Sequence, residues 1–423
     1  MGLFYYMTTI EGRIVQEGGI ARKRVEIDDA GIIVKVGEVT GNADIVCSEG
    51  ELIFPGFIDL HVHAREDVSG EQKYKEDFTT ASAAALNGGV VAFADMPNNI
   101  VPPVDDTGYD TKKKLVIESK NNFPNNTSPE IVLYAGVGVM TKPLSQKVPY
   151  KVFMGKSIGE MFFLDRESLE TAIQKYEGEW VSFHSEDPKM LESCCGADTH
   201  EHKRPPEAEI LAVDFALELI EKYNLKGKIC HASTVEGVQK VIDAKKRGVN
   251  VTVEVTPHHL YFDETMFTDS TRTLYQVNPP IRQTKENRLQ LIAMLKNGDI
   301  DYLATDHAPH TIEEKEKGMS GLTHLDTYGA FTTWLMEEHH FTPEEIMKVC
   351  SKNPGKFIEE FTGEKYGEIM EGYVGSLTVI DMNTKTNVTK EFLKTKSHQS
   401  PFLGVEFPGS VSKVIIKGRI YDL

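Results

Sequence analysis

Tryptophan and cysteine are scarce in this chain, at two and five among 423 residues. The cysteines (47, 194, 195, 230 and 350) contain no C-x-x-C pair, which excludes a zinc knuckle and a disulfide scaffold and fits a reducing cytoplasm. Basic charge is in deficit: 46 Lys and Arg face 64 Asp and Glu, a net of −18, so no basic stripe awaits nucleic acid. No apolar run approaches the length of a membrane span. The start, MGLFYYMTTIEGR, has no basic n-region and no small-residue cleavage site, and Gly2 is not followed by Ser or Thr at position 6. The start is therefore a poor signal peptide and fails the myristoylation pattern, with Met1 and Met7 as alternative starts. There is no internal repeat and no low-complexity tract.

With 40% hydrophobic and 26% charged residues, the chain can bury a large core. Its length suits two domains, or one large barrel with an appendage. The first residues form short β-like stretches at 13–15, 24–27, 31–36 and 51–54, separated by Gly, Asn and Asp turn signals. The last residues repeat this texture at 376–381 and 412–416. Neither end has enough apolar surface for a domain of its own. Together, 1–54 and 366–423 predict a small β-sandwich with the termini side by side. Between them, over 55–365, eight short apolar runs recur at 57–61, 90–96, 131–137, 150–154, 180–185, 228–231, 251–255 and 302–305. Amphipathic spacing at 81–86, 164–175, 208–223, 235–247 and 287–295 predicts helices between them. Strand–helix alternation on this scale is the pattern of an α/β protein built as a (β/α)8 TIM-type barrel.

In such a barrel the active site lies at the C-terminal ends of the strands. Those ends carry His61 and His63, then Asp95, Lys151, His184, His231 and Asp306. A lone strand-end histidine is ordinarily structural, but four with an aspartate at converging ends make a metal-ligand constellation. His61 and His63 stand two apart, so both imidazoles point to one side of a strand. Asp59 before them is either a supporting group or a turn cap. Lys151, in Tyr-Lys-Val-Phe-Met, has two readings: a lysine snorkelling at the barrel rim, or a buried amine that reacts with CO2 to give a metal-bridging carbamate. Asp306 can bind a metal with one oxygen and take a proton with the other. Arg65 can clamp a carboxylate through parallel hydrogen bonds, Asn98 and Asn278 offer amides, and His310 can face a substrate. His258 and His259 read first as loop histidines, with one of them alternatively a supporting group beside the site, and 313–317 reads as a solvated face.

The run Pro-Gly-Phe-Ile-Asp-Leu-His61-Val-His63-Ala-Arg65, with Met-Pro-Asn98, Lys-Val-Phe-Met, His184-Ser-Glu-Asp, His231-Ala-Ser-Thr, Asn278-Pro-Pro-Ile-Arg and Ala-Thr-Asp306-His-Ala-Pro-His310, resembles the dihydroorotases. These belong to the cyclic-amidohydrolase branch of the amidohydrolase superfamily. The motifs stand in family order from about 55 to 310. The resemblance implies two zinc ions, one held by His61, His63 and Asp306 and the other by His184 and His231, with carboxylated Lys151 bridging them. It implies that Arg65, Asn98 and His310 hold a substrate carboxylate and that Asn278 contacts the ring. The implied activity is reversible hydrolysis of dihydroorotate to N-carbamoyl-aspartate in pyrimidine synthesis, with Asp306 as general acid and base. Hydantoinases and allantoinases are the near alternatives, and a metal-free assembly protein the distant one. Two departures stand out: Glu66 leads into Asp67-Val-Ser-Gly where the family usually continues Pro-Gly, and the segment after Met154 is unlike its usual form, which suggests a lid. Small molecules are the expected partners. Neither a homo-oligomer nor a pyrimidine-pathway enzyme partner is legible.

Overall fold

Short runs of aliphatic residues, buried on both faces, are what a parallel barrel strand requires. The barrel strands are Phe57–Val62, Val90–Asp95, Glu130–Leu133 continued by Ala135–Gly136, Tyr150–Phe153, Trp180–His184, Lys226–Ile229, Val251–Val255 and Tyr302–Leu303. Each neighbour pair is parallel. The ring closes where Val62 bridges His307 and the His63 amide donates to the His307 carbonyl at 2.8 Å. These facts come from a computed structural model that describes residues 7–155, 161–282, 284–421 and 423. The segment expected to form a lid falls largely on 156–160, outside the described residues.

The anticipated helices appear as Phe78–Asn87, Arg166–Ile173, Pro206–Lys222, Val235–Lys246 and Lys285–Asn297. Three more of ten residues or longer among the described residues, Asp106–Lys120, Tyr328–His339 and Asn353–Thr362, were not anticipated. Asp106–Lys120 has a polar, lysine-rich surface that blurs its apolar stripe, yet Asp105 caps it through the Gly108 amide at 2.7 Å. One crossover departs from regular strand–helix alternation: the connection from the third to the fourth strand, 137–149, carries no helix. Gly138, Pro143 and Pro149 interrupt any helical run there. No helix among the described residues is long and apolar enough to cross a membrane.

The chain ends share one sheet. In spatial order it runs Arg419–Tyr421, Ser410–Ile416, Leu377–Asp381, Glu51–Pro55, Thr8–Gln16, Gly19–Ile27 and Ile33–Gly37, with Ile45–Val46 also on Thr8–Gln16. Its inner residues, among them Ile10, Ile14, Val25, Ile53, Leu377 and Ile415, form an apolar cluster separate from the barrel core. Thr8, Lys417 and Arg419 line the same surface cleft, so the ends lie together as expected.

Glu51 joins the two halves of this sheet. It accepts from the Ser48 amide at 2.7 Å and from Ser412 Oγ at 2.6 Å, and it pairs with Lys413. Burial alone would raise its pKa, but Lys413, Ser412 and the amide overcome that and hold it down at about 2. A depressed carboxylate stabilises the fold above its unfolded pKa and loses that contribution as pH falls. We expect about 1–2 kcal/mol to disappear between roughly pH 4.5 and 2, after solvent screening. Thermal melts across that range should therefore fall less steeply for Glu51→Gln than for the parent; parallel curves would contradict it.

Candidate active site

The first and last barrel strands are tied at their C-terminal ends by one buried carboxylate. Asp59 accepts the His61 amide at 3.0 Å, the Thr305 amide at 3.1 Å and Thr305 Oγ1 at 2.5 Å. That settles its role as a strand-to-strand tie and brings Asp306 against the two histidines. Asp306 Oδ1 lies 3.2 Å from His61 Nε2 and 3.0 Å from His63 Nε2. On the opposite wall, His184 Nδ1 and His231 Nε2 are 2.8 Å apart, and the His231 ring centroid lies 5.3 Å from that of His61.

Lys151 sits between these pairs on the fourth strand and is wholly buried, which overturns the snorkelling alternative. Its Nζ donates to Cys230 Sγ at 2.8 Å, and its charge acts on His61, His63, His231 and Asp306. Burial holds His61, His63 and His231 well below the usual imidazole range, with neighbouring cations adding to the effect. Their rings are thus neutral and offer lone pairs. Burial also lifts the Asp306 carboxyl to about 7.

The cluster opens into a cavity of about 260 Å³, at the small end for ligand pockets. His61, His63, His184, His231 and Asp306 form its floor. Arg65, Asn98 and Asn278 line it as well, with the loop 318–321 alongside. Arg65 is 2% exposed, and its Nη2 donates to His310 Nε2 at 3.4 Å. Its Nε and Nη1, and Asn278 Oδ1, are buried with no hydrogen-bond partner among the described residues. Burial lowers the Arg65 guanidinium to about 10 against the pull of Asp306 and Asp95. Arg65, His231 and Asp306 all adopt positive φ (60°, 36° and 51°), a conformation costing roughly 1–3 kcal/mol each in a non-glycine residue. Such strain gathers where function dictates side-chain direction.

His310 is not part of this cavity wall. It stands behind Arg65, with Nδ1 3.1 Å from Glu314 Oε2, and lines an adjoining cavity. The solvated reading of 313–317 is corrected in part. Glu314 binds Tyr74 Oη at 2.6 Å and Lys75 Nζ at 3.0 Å, and Lys315 is only 4% exposed. Lys315 donates to the carbonyls of Gln276, Met319 and Gly321 at 2.7–2.8 Å, bracing the loop at the cavity rim. Gly321 in that loop has φ 144°, and a Cβ there would meet the Ala308 carbonyl at 2.6 Å.

His258 and His259 are likewise buried rather than loop histidines. They lie on the short helix Pro257–Tyr261, His258 Nδ1 meeting His324 Nε2 at 2.8 Å and His259 Nε2 donating to the Pro279 carbonyl at 3.1 Å. A two-residue polar doublet after Pro257 carries no periodic signal of burial. Asp95 is committed elsewhere, accepting the Ala64 amide at 2.8 Å and lying 2.6 Å from Lys112 Nζ.

Sequence reading passed over two buried ion pairs beside the histidines. Lys228 Nζ lies 2.6 Å from Glu254 Oε2, and the other Glu254 oxygen meets His61 Nδ1. Arg204 Nη2 lies 2.5 Å from Glu186 Oε2, which also meets His184 Nε2 at 3.1 Å. Glu254 stands inside an otherwise apolar strand, as Lys151 does, and that oddity was the available signal, whereas Lys228 lies in the strand Lys-Gly-Lys-Ile and carries no such mark.

The donor set fits zinc, which favours neutral imidazole and carboxylate in compact sites. His61, His63 and Asp306 bring ligand atoms within 4.8 Å of one another. His61, Cys230 and Glu254 do so too, but burial pushes the Cys230 thiol up to about 11 and Lys228 already occupies Glu254. That second group is therefore not a metal cage.

Comparison with known proteins gives a consistent result. The amidohydrolase family model matches residues 52–421. A dihydroorotase of Thermococcus kodakarensis is 33% identical over 97% of this chain and 93% of its own length. A dihydroorotase of Staphylococcus aureus strain Mu50 is 30% identical, covering 97% of each chain. Among solved structures, the L-hydantoinase (dihydropyrimidinase) from Arthrobacter aurescens superimposes with a TM-score of 0.87 at 22% identity, over 98% of this chain and 95% of that one. At that identity the likeness speaks for the fold.

Proposed function

The chain belongs to the amidohydrolase family, and on that premise we propose that it is a dihydroorotase. It would hydrolyse the ring amide of (S)-dihydroorotate to N-carbamoyl-L-aspartate and catalyse the reverse cyclisation for pyrimidine synthesis. The observation that carries this over a hydantoinase or allantoinase is Arg65. A buried guanidinium with two unsatisfied nitrogens, facing a small cavity beside Asn98 and Asn278, calls for an anionic ligand. Hydantoin and allantoin lack the six-ring carboxylate that would answer it. The dihydroorotase relatives support the same choice.

His61, His63 and Asp306 would hold one zinc ion, His184 and His231 a second, and carboxylated Lys151 would bridge them. When bound, the metals supply an acidified water and polarisation of the ring carbonyl. The chain's own groups do the rest. Arg65 fixes the substrate carboxylate, with Asn98 beside it, and His310 braces Arg65 from behind. Asn278 directs its amide at the ring. Asp306 takes the proton of the attacking water and delivers it to the departing ring nitrogen, so that one N–H forms as the C–N bond breaks.

The test follows dihydroorotate loss by its ring absorbance, with hydantoin and allantoin as controls and zinc counted per chain. Turnover of dihydroorotate alone with about two zincs is expected. Two zincs with turnover only of hydantoin or allantoin would move the function to those rings. Arg65→Ala should raise KM for dihydroorotate roughly 100-fold, the scale of a lost charge-assisted contact, without changing zinc content. A variant that loses zinc instead would contradict the clamp.

A further inference from the structure

Behind each histidine pair lies a chain of three groups: a cation and a carboxylate outside the metal set, and an imidazole nitrogen of one histidine within it. In the first, Lys228 Nζ holds Glu254 Oε2 at 2.6 Å and also donates to the Leu60 carbonyl at 3.2 Å, while Glu254 Oε1 meets His61 Nδ1. Lys228 and Glu254 are both 0% exposed. In the second, Arg204 donates to Glu186 through Nε at 3.0 Å and Nη2 at 2.5 Å, and Glu186 Oε2 meets His184 Nε2 at 3.1 Å. Glu186 too is 0% exposed.

An ionised carboxylate only accepts hydrogen bonds, so each imidazole nitrogen touching one carries the proton. His61 must then present its lone pair at Nε2, the atom beside Asp306, and His184 at Nδ1, the atom facing His231. The two glutamates select opposite tautomers, and each choice turns a lone pair toward the cavity. Burying a carboxylate without a counter-cation would favour its neutral form, which could donate and reverse that choice. Lys228 and Arg204 supply that counter-cation by direct contact, Lys228 Nζ at 2.6 Å from Glu254 Oε2 and the Arg204 guanidinium donating to both Glu186 oxygens.

We infer that Lys228–Glu254 and Arg204–Glu186 are two separate positioning relays, each setting the zinc affinity of the histidine it touches. The inference rests on the two-zinc reading above and adds that the ions are tuned independently, although the two relays stand on neighbouring strands.

The experiment titrates zinc alone against a competing chelator, in the parent protein, Glu254→Gln, Glu186→Gln and the double variant Lys228→Met/Glu254→Gln. Glutamine keeps an oxygen for the His231 amide, which Glu254 Oε1 accepts at 3.1 Å. Single Glu254→Gln leaves Lys228 as an unpaired buried cation and is expected to fold poorly. The double variant removes that charge and should recover the parent's melting temperature while still binding the first zinc weakly. Glu186→Gln and the double variant should each lose roughly 10- to 100-fold in affinity for one zinc and keep the other. Variants that retain both affinities, or lose both ions together while folded, would overturn the relays. A parent that binds fewer than two zincs would remove the two-zinc reading itself, and the relays with it.

Discussion

Asp306→Asn is expected to lower turnover of dihydroorotate by about 10³-fold or more, the scale of a lost general acid–base group. The substitution is unusually clean. Asparagine matches the shape of aspartate and is among the residues that best tolerate left-handed backbone, so φ 51° at this position should persist. Its amide oxygen can still stand against His61 and His63, where Asp306 Oδ1 now lies at 3.2 and 3.0 Å. What asparagine cannot do is take up and return a proton. The measurement is kcat with zinc counted on the same sample. A kcat within tenfold of the parent at full zinc would remove Asp306 as the base.

Lys151→Met should separate stability from activity with opposite signs. The lysine is fully buried on an apolar strand, and its Nζ finds one sulfur acceptor, Cys230 Sγ at 2.8 Å. An amine so placed is costly to bury, whereas methionine fills a similar volume without a polar atom. In metal-free protein the melting temperature should therefore hold or rise by a few degrees, about the effect of 1 kcal/mol in a chain this long. Turnover should fall by about 10³-fold or more, because the bridge proposed between the metals is lost. Calorimetry and zinc analysis on one preparation decide it. A variant with parental activity would show that Lys151 is structural; a variant that melts far below the parent would show that the amine stabilises the fold.

Much of the site was legible because its signals were local in sequence. His61 and His63 announce a shared direction by spacing alone, and Asp306, His184 and His231 follow the apolar runs that became strands. Lys151 stood out because a charge interrupts an apolar run. By the same token Glu254 was visible in principle, but its pairing with Lys228 is set only when their two strands become neighbours. His258, His259 and Lys315 were misread because burial of a short polar segment depends on what packs over it. The crossover without a helix follows from Gly138, Pro143 and Pro149, which break any helical run between the third and fourth strands.

The sequence by itself determined the alternation of strands and helices, the β-rich ends and the histidines, lysine and aspartate at the strand ends. Periodicity, turn chemistry and residue type are properties of neighbours along the chain. Only the tertiary structure decided that Asp59 would tie the first strand to the last, that Arg65 would be buried with unsatisfied nitrogens, and that His310 would stand behind it. It alone set Glu254 and Glu186 behind opposite histidines. These are contacts between residues far apart in sequence, and closure of the barrel is what brings them within hydrogen-bonding reach.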